Sequence, residues 1–243
     1  MIKGIYTSAS GMVPRIKKQE LTANNIANVS TPGFKKDTVF THELSRAEAK
    51  MRPQKSDWQT PMVDEIYTNF DPGVFDKTGS PLDLAIDGEG FFTLELPDGS
   101  MALTRAGAFT VDSDGLLAFP GGALVLGEGG PIEVGNGQVQ VSLNGNVEVD
   151  GENVGTISPV TVDRLDQLEK IGSAMFSVPE GVTLQPVANS TVQQGFLEAA
   201  NVDVVREMID MIISFRQYEA DSKSIQVQDQ SLDHLFNRVG PKG

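Results

Sequence analysis

Apolar or small side chains fall at Ile2, Ile5, Ala9, Met12, Ile16, Ala23 and Ile26, with Gln19 as the one polar interruption. The spacing alternates three and four, the period of a coiled-coil seam rather than of a helix lying on a globular core. The pattern predicts a helix with a sharp stop. Asn28, Ser30 and Thr31 compete for backbone hydrogen bonds, Pro32 cannot continue a helix, and Gly33 permits a turn into Phe34. Pro14 inside the pattern removes a hydrogen bond, so the helix is expected either to kink near Gly11–Val13 or to begin at Pro14.

The other end of the chain offers a partner. From Asn201 to Val239 there is no proline or glycine, and apolar residues recur every seven positions at Val204, Met211, Tyr218, Ile225, Leu232 and Val239. Met208, Phe215 and Phe236 follow three of these by four residues. A helix of about 39 residues would reach roughly 58 Å, too long for a compact domain of this size. Asn201 is the expected N-cap, Asp203 suits the first turn, and Gly240-Pro241 ends the run. The two ends read as coiled-coil partners, in one molecule or between molecules. Asn24, Asn25 and Asn28, with Tyr6, lie beside the N-terminal seam. If buried they need satisfied hydrogen bonds, and they would then fix register.

Between the helices the texture changes twice. Asp37–Met51 reads as a short helix, and Arg52–Pro61 as an extended linker whose lone Trp58 packs on a neighbouring surface. From Asp64 to Val160, short runs such as LAI (84–86), FFTLEL (91–96), MALTRAGAFTV (101–111) and VQVSL (139–143) alternate with turn signals. Those signals are Asp87-Gly88, Asp98-Gly99, Asp114-Gly115, Gly121-Gly122, Asn136-Gly137, Asn144-Gly145 and Asp150-Gly151, dipeptides that favour tight hairpins. Val160–Val178 adds a strand and a helical turn near Leu165–Ile171, and Pro179–Val192 is an extended return. The expected fold is α+β: terminal helices pairing as a coiled coil around an inserted all-β domain of hairpins. The expected segments are an assembly helix and turn (1–36), a short helix and linker (37–63), the β domain (64–192) and a second assembly helix (193–243).

Charge sharpens that division. Residues 1–59 carry ten Lys/Arg against five Asp/Glu, residues 60–160 two against sixteen, and residues 161–243 seven against twelve. The middle block is a solvated acidic domain, and nucleic acid is a poor partner for such a chain. No run of apolar residues is long enough to span a membrane, so no membrane insertion is expected. The N-terminus lacks the apolar block of a cleavable signal peptide.

Catalytic chemistry finds no support. There is no cysteine, and the two histidines, His42 and His234, lie in different elements. His42-Glu43 opens HELSR rather than a zinc-binding HExxH, and nucleophile-elbow and phosphate-loop motifs are absent. Asp112-Ser113-Asp114-Gly115 lacks the further oxygens in register that a calcium loop requires, so it reads as a hairpin turn. No catalytic residue, metal site or cofactor is expected.

Three stretches carry a resemblance. ANNIANVSTPGFK (23–35), PLDLAIDGEGFFTLELPDGSMALTRAGAFTVDSDGLL (81–117) and QGFLEAANVDVVREMIDMIISFRQYEADSKSIQ (194–226) are similar, in family order, to the bacterial flagellar rod and hook proteins. The resemblance implies a non-enzymatic subunit, exported unfolded without a cleavable signal peptide, that polymerises into a hollow tube. It implies terminal helices in an inner coiled-coil layer and an outer β domain. Its expected partners are copies of itself, other rod proteins and the export apparatus, and its expected place is the periplasm-spanning rod of the basal body.

The assembly positions that follow are Ile5, Ala9, Met12, Ile16, Ala23, Asn24, Asn25, Ile26 and Asn28 on the first helix, and Pro32, Gly33 and Phe34 in the turn. On the last helix they are Val204, Met208, Met211, Phe215, Tyr218, Ile225, Leu232, Phe236 and Val239. The lack of large insertions is similar to rod rather than hook members. The runs 68–86 and 165–176, and the short segment after the turn, resemble proximal more than distal rod subunits. A soluble acidic binding module is the competing class; it predicts a monomer with dispensable termini.

Overall fold

Helix α1 spans Ile2–Ala27 and helix α2 spans Val204–Val239 in a computed structural model that describes residues 2–42, 62–179, 181–187 and 189–239. Pro14 stands inside α1 without ending it, so the helix does not begin there. One backbone bond is lost and the turns on either side hold. The 36 residues of α2 extend roughly 54 Å. Its N-cap is Asp203, not Asn201: Asp203 Oδ1 accepts the Arg206 amide at 3.1 Å, and its carbonyl accepts the Glu207 amide at 2.9 Å. A carboxylate at this position satisfies orphan donors and faces the positive end of the helix dipole.

The described chain divides into two compact units. The first holds α1, the described part of 37–69, and α2; the second holds 28–36 and 70–202. In the first, Asp37–His42 pairs antiparallel with Met62–Thr68, Asp37 opposite Thr68 and His42 opposite Met62. The expected helix over Asp37–Met51 is therefore a strand over its first six residues. Thr38, Val39 and Thr41 are β-branched, and cross-strand pairing decides a segment of divided local preference. The rest of that segment, the expected linker and Trp58 lie outside the described residues.

Helices α1 and α2 run antiparallel. Arg15 meets the Asp221 carboxylate and donates to the Gln217 carbonyl at 3.1 Å, Lys18 Nζ lies 3.5 Å from Asp210, and Asn25 Nδ2 lies 3.5 Å from Glu207 Oε2. Partners fall in number along α2 as positions rise along α1.

The second unit is built of antiparallel pairs. Its largest sheet runs in the order Glu169–Ile171, Met175–Ser177, Met101–Thr104, Phe92–Glu95, Ala123–Gly127, Leu117–Phe119 and Thr110–Val111, with Gly130–Pro131 beside Ala123–Gly127. Val139–Val141, Asn146–Val149 and Glu152–Thr156 form a second, three-stranded sheet. The predicted run 101–111 is broken in two by Arg105–Phe109, and the predicted helical turn is a 3-10 turn at Leu165–Gln167. At every predicted turn dipeptide except Asn136-Gly137 the glycine has positive φ; there Gly135 takes that role at +52°.

One apolar core gathers Leu84, Ile86, Phe92, Leu94, Phe109, Val125, Ile132, Val147 and Ile157, with Phe92 and Phe109 edge to face at 5.2 Å. A second holds Phe91, Leu103, Val162 and Phe176, with Phe70 stacked on both Phe91 and Phe176. Late residues close the unit: Thr191–Gln194 pairs with Leu84–Asp87, and Phe196–Glu198 with Phe75–Lys77.

Gly33 has φ +67°, and a Cβ there would stand 2.2 Å from the Ala106 amide nitrogen. Strain and collision act together, so Gly33→Ala is expected to destabilise this unit by at least about 2 kcal/mol. Denaturant unfolding followed by circular dichroism checks it; an unchanged midpoint would show that the turn relaxes freely.

Candidate assembly site

The residues after α1 turn into the β unit with two lysines in an otherwise apolar approach, Pro32-Gly33-Phe34-Lys35-Lys36. Phe34 and Lys35 are both fully buried. An ammonium there requires a counter-charge, since an unpaired buried charge is prohibitive. Glu198, also fully buried, supplies it: Lys35 Nζ donates to Glu198 Oε1 at 2.5 Å and to the Asp71 carbonyl at 2.8 Å. The same carboxylate accepts the Gly73 amide at 2.9 Å and, on Oε2, the Arg105 guanidinium at 3.3 Å.

Arg105 completes its bonding on the carbonyls of Ile86 at 3.2 Å and Gly88 at 2.8 Å, and lies over the Phe91 ring. Two cations thus share one carboxylate in a dry interior, with carbonyl dipoles taking the remaining donors. Burial is the largest influence on Lys35 and holds its pKa below the ordinary 10.5, while Glu198 pulls the other way. Burial likewise lowers Arg105, again opposed by Glu198.

A second knot lies beside this one. The Glu198 carbonyl accepts the Gly33 amide at 2.7 Å, and Lys170 Nζ donates to the Lys35 carbonyl at 2.7 Å while lying 4.4 Å from the Phe34 ring centroid. Asn201, freed from capping, accepts the Lys36 amide at 2.8 Å and donates to the Asp71 carbonyl at 3.0 Å. Segments 33–36, 71–73 and 198–201 are thereby tied together within the β unit.

On the helices, the predicted stripes divide. Val204, Met211, Tyr218, Ile225 and Leu232 of α2 are half-buried, together with Glu207, Ser214, Asp221 and Gln228 at the intervening positions. Met208 and Phe215 face outward, 51% and 56% exposed, in a row with Val205, Ile209 and Ile212. On α1, Ala9, Ile16, Ala23 and Asn24 are exposed, and Met12, Ile26 and Asn28 are half-buried. The α1 apolar line does not carry the contact with α2; the buried side follows Pro14, Thr22 and Asn25. Asn25 is satisfied by the Asp37 backbone, accepting its amide at 3.0 Å and donating to its carbonyl at 2.9 Å. Asn28 starts the turn, its carbonyl accepting the Thr31 amide at 3.0 Å. The side chains of Ile5, Phe236 and Val239 lie outside the described set.

Sequence reasoning passed over Lys35, Arg105 and Glu198. The available signal was contrast: Arg105 is one of two cations among residues 60–160, and Glu198 interrupts the apolar Phe196-Leu197…Ala199-Ala200.

Three family descriptions match the chain: "Flagella basal body rod protein" over 5–35, "Flagellar hook protein FlgE/F/G D1 domain" over 85–150, and "Flagellar basal body rod FlgEFG protein C-terminal" over 193–238. The chain is 34% identical to flagellar basal-body rod protein FlgF of Caulobacter vibrioides, over 99% of both chains. It is 33% identical to FlgG of Bacillus subtilis, over 98% of this chain and 99% of that one. With FlgF of Escherichia coli it shares 31%, over 95% and 96%. The chain belongs to the flagellar basal-body rod protein family.

Each member of the buried ion cluster comes from a different one of the matched regions: Lys35 from the first, Arg105 from the second and Glu198 from the third. What joins the family's separate signatures in this rod-family chain is one shared counter-charge.

Glu198→Gln strands two buried cations and is expected to cost about 3–5 kcal/mol, whereas Lys35→Met/Arg105→Met/Glu198→Leu costs less than that single change. Urea unfolding of the full chain compares them; equal losses would remove the ion cluster as the reason. A pH test follows from the lowered Lys35 value. Between that value and 10.5 the unfolded chain binds more protons than the folded one, so this group's contribution to stability rises with pH. Lys35→Met is expected to flatten the alkaline slope of unfolding free energy against pH; a slope equal to that of the unaltered chain would contradict it.

Proposed function

We propose that this chain is a structural subunit of the flagellar basal-body rod that polymerises through its terminal helices, with the acidic β unit outside. The observation that carries this reading is the outward row Val205, Met208, Ile209, Ile212 and Phe215 on α2, each more than half exposed. Five large apolar side chains on one helix side need cover, and a neighbouring helix is the economical one. The exposed Val13 and Ile16 of α1 offer a complementary surface on a second copy. In this reading the half-buried line of α2 serves α1 of the same chain, and the outer row serves other subunits as a coiled-coil layer.

A proximal position in the rod is favoured over a distal one. The alignment with Caulobacter vibrioides FlgF extends over 243 residues, this chain's own length, whereas that with Bacillus subtilis FlgG extends over 265. Residues absent here are therefore part of the FlgG proteins. No described helix is long and apolar enough to cross a membrane. A rod place thus requires passage through an export apparatus and a periplasm-spanning assembly with other rod proteins.

Met208→Glu/Ile212→Glu/Phe215→Glu is expected to abolish swimming and remove the protein from purified basal bodies, with the unfolding of the β unit unchanged. Mass spectrometry of the particles and a motility assay check this. Normal swimming with the protein absent from the particles would instead support a soluble binding module.

A further inference from the structure

The faces that α1 and α2 turn to each other carry opposite charge. On α1, Arg15 and Lys18 reach α2, while Glu20, the helix's one carboxylate, is exposed and pairs with Lys17 at 3.1 Å. On α2, Glu207 is buried and Asp210 and Asp221 are half-buried. The bases Arg206, Arg216 and Lys223 all lie on exposed positions of that helix. Among the described side chains, the seam is thus basic on one helix and acidic on the other.

We propose that this division of charge, rather than apolar burial, selects α2 as the partner of α1. The basic side of α1 accepts an acidic helix and rejects a second α1, which would oppose Arg15 and Lys18 to themselves. The acidic side of α2 rejects a second α2 in the same way. Part-exposed ion pairs add little affinity. Like charges across a seam are nonetheless an effective repulsive element, and discrimination needs only a difference between partners.

The outer apolar row of α2 cannot make this choice, since it accepts any apolar helix about equally. Caulobacter vibrioides has both a FlgF and a FlgG similar to this chain, at 34% and 31% identity. Where such related helices meet, a sign-coded inner seam keeps each chain's own pair together and leaves the apolar rows for neighbours. That consequence rests on the rod reading; the pairing itself does not.

The test uses the full chain, which has no native cysteine. Nitroxide labels on cysteines placed at the exposed positions Ala23 and Met208 report the helix separation by pulsed electron resonance. At low salt the starting protein is expected to give one narrow distance distribution. R15E/K18E and D210K/D221K are each expected to lower the ratio of paired to unpaired helices about tenfold. The fourfold exchange, which restores opposite signs with the polarity swapped, is expected to recover the narrow distribution. The β unit's unfolding transition verifies that every variant is folded. Narrow distributions in the one-sided variants, a broad one in the exchanged chain, or a broad one in the starting protein would each overturn the proposal. Absence of the protein from basal bodies would remove the rod reading and leave this measurement standing.

Discussion

Everything in the β unit's closure depends on one carboxylate. Glu198 is fully buried, and Lys35, Arg105 and the Gly73 amide all direct donors at it. Alone, none of the three charges is tolerable in that interior; together they are. The segments that carry them are 163 and 93 residues from Glu198. The unit therefore cannot complete its interior until the chain beyond Gln194 has joined the sheet. Buried ion clusters contribute little net stability compared with apolar packing, and their use here is arrangement. Only one placement of the GFKK turn gives Lys35 its counter-charge.

The same constraint explains the glycine before it. Gly33 must pass against the Arg105–Ala106 backbone for Lys35 to reach Glu198, and no side chain fits in that approach. Asn201 then holds Lys36 and Asp71 by their backbones. The polar residues that a sequence reading assigns to helix punctuation thus serve a tertiary junction, while the capping of α2 passes to Asp203.

The helices show how one heptad pattern can serve two surfaces. Every seventh residue of α2 from Val204 lies toward α1, but the positions between are Glu207, Ser214, Asp221 and Gln228. A seam apolar at alternate steps and polar at the others is weak. The larger apolar area, from Val205 to Phe215, stays outside. A single chain satisfies its ions within and leaves its hydrophobic surface unburied, the condition of a subunit rather than of a finished globule.

The α+β class, the two long helices, the hairpin-rich middle and the stop at Pro32-Gly33 were legible in the sequence, because periodicity and turn chemistry are local properties. Local spacing also marked the heptad of α2, but not which side of it would be covered. The strand at Asp37–His42 was not legible, since its partner lies twenty residues on and pairing overrides a divided propensity. Nor was the ion cluster: each of Lys35, Arg105 and Glu198 looks like an ordinary surface charge in its own stretch. Their meeting is a fact of topology, and burial, which turns a solvated charge into a structural requirement, exists only once the chain has folded.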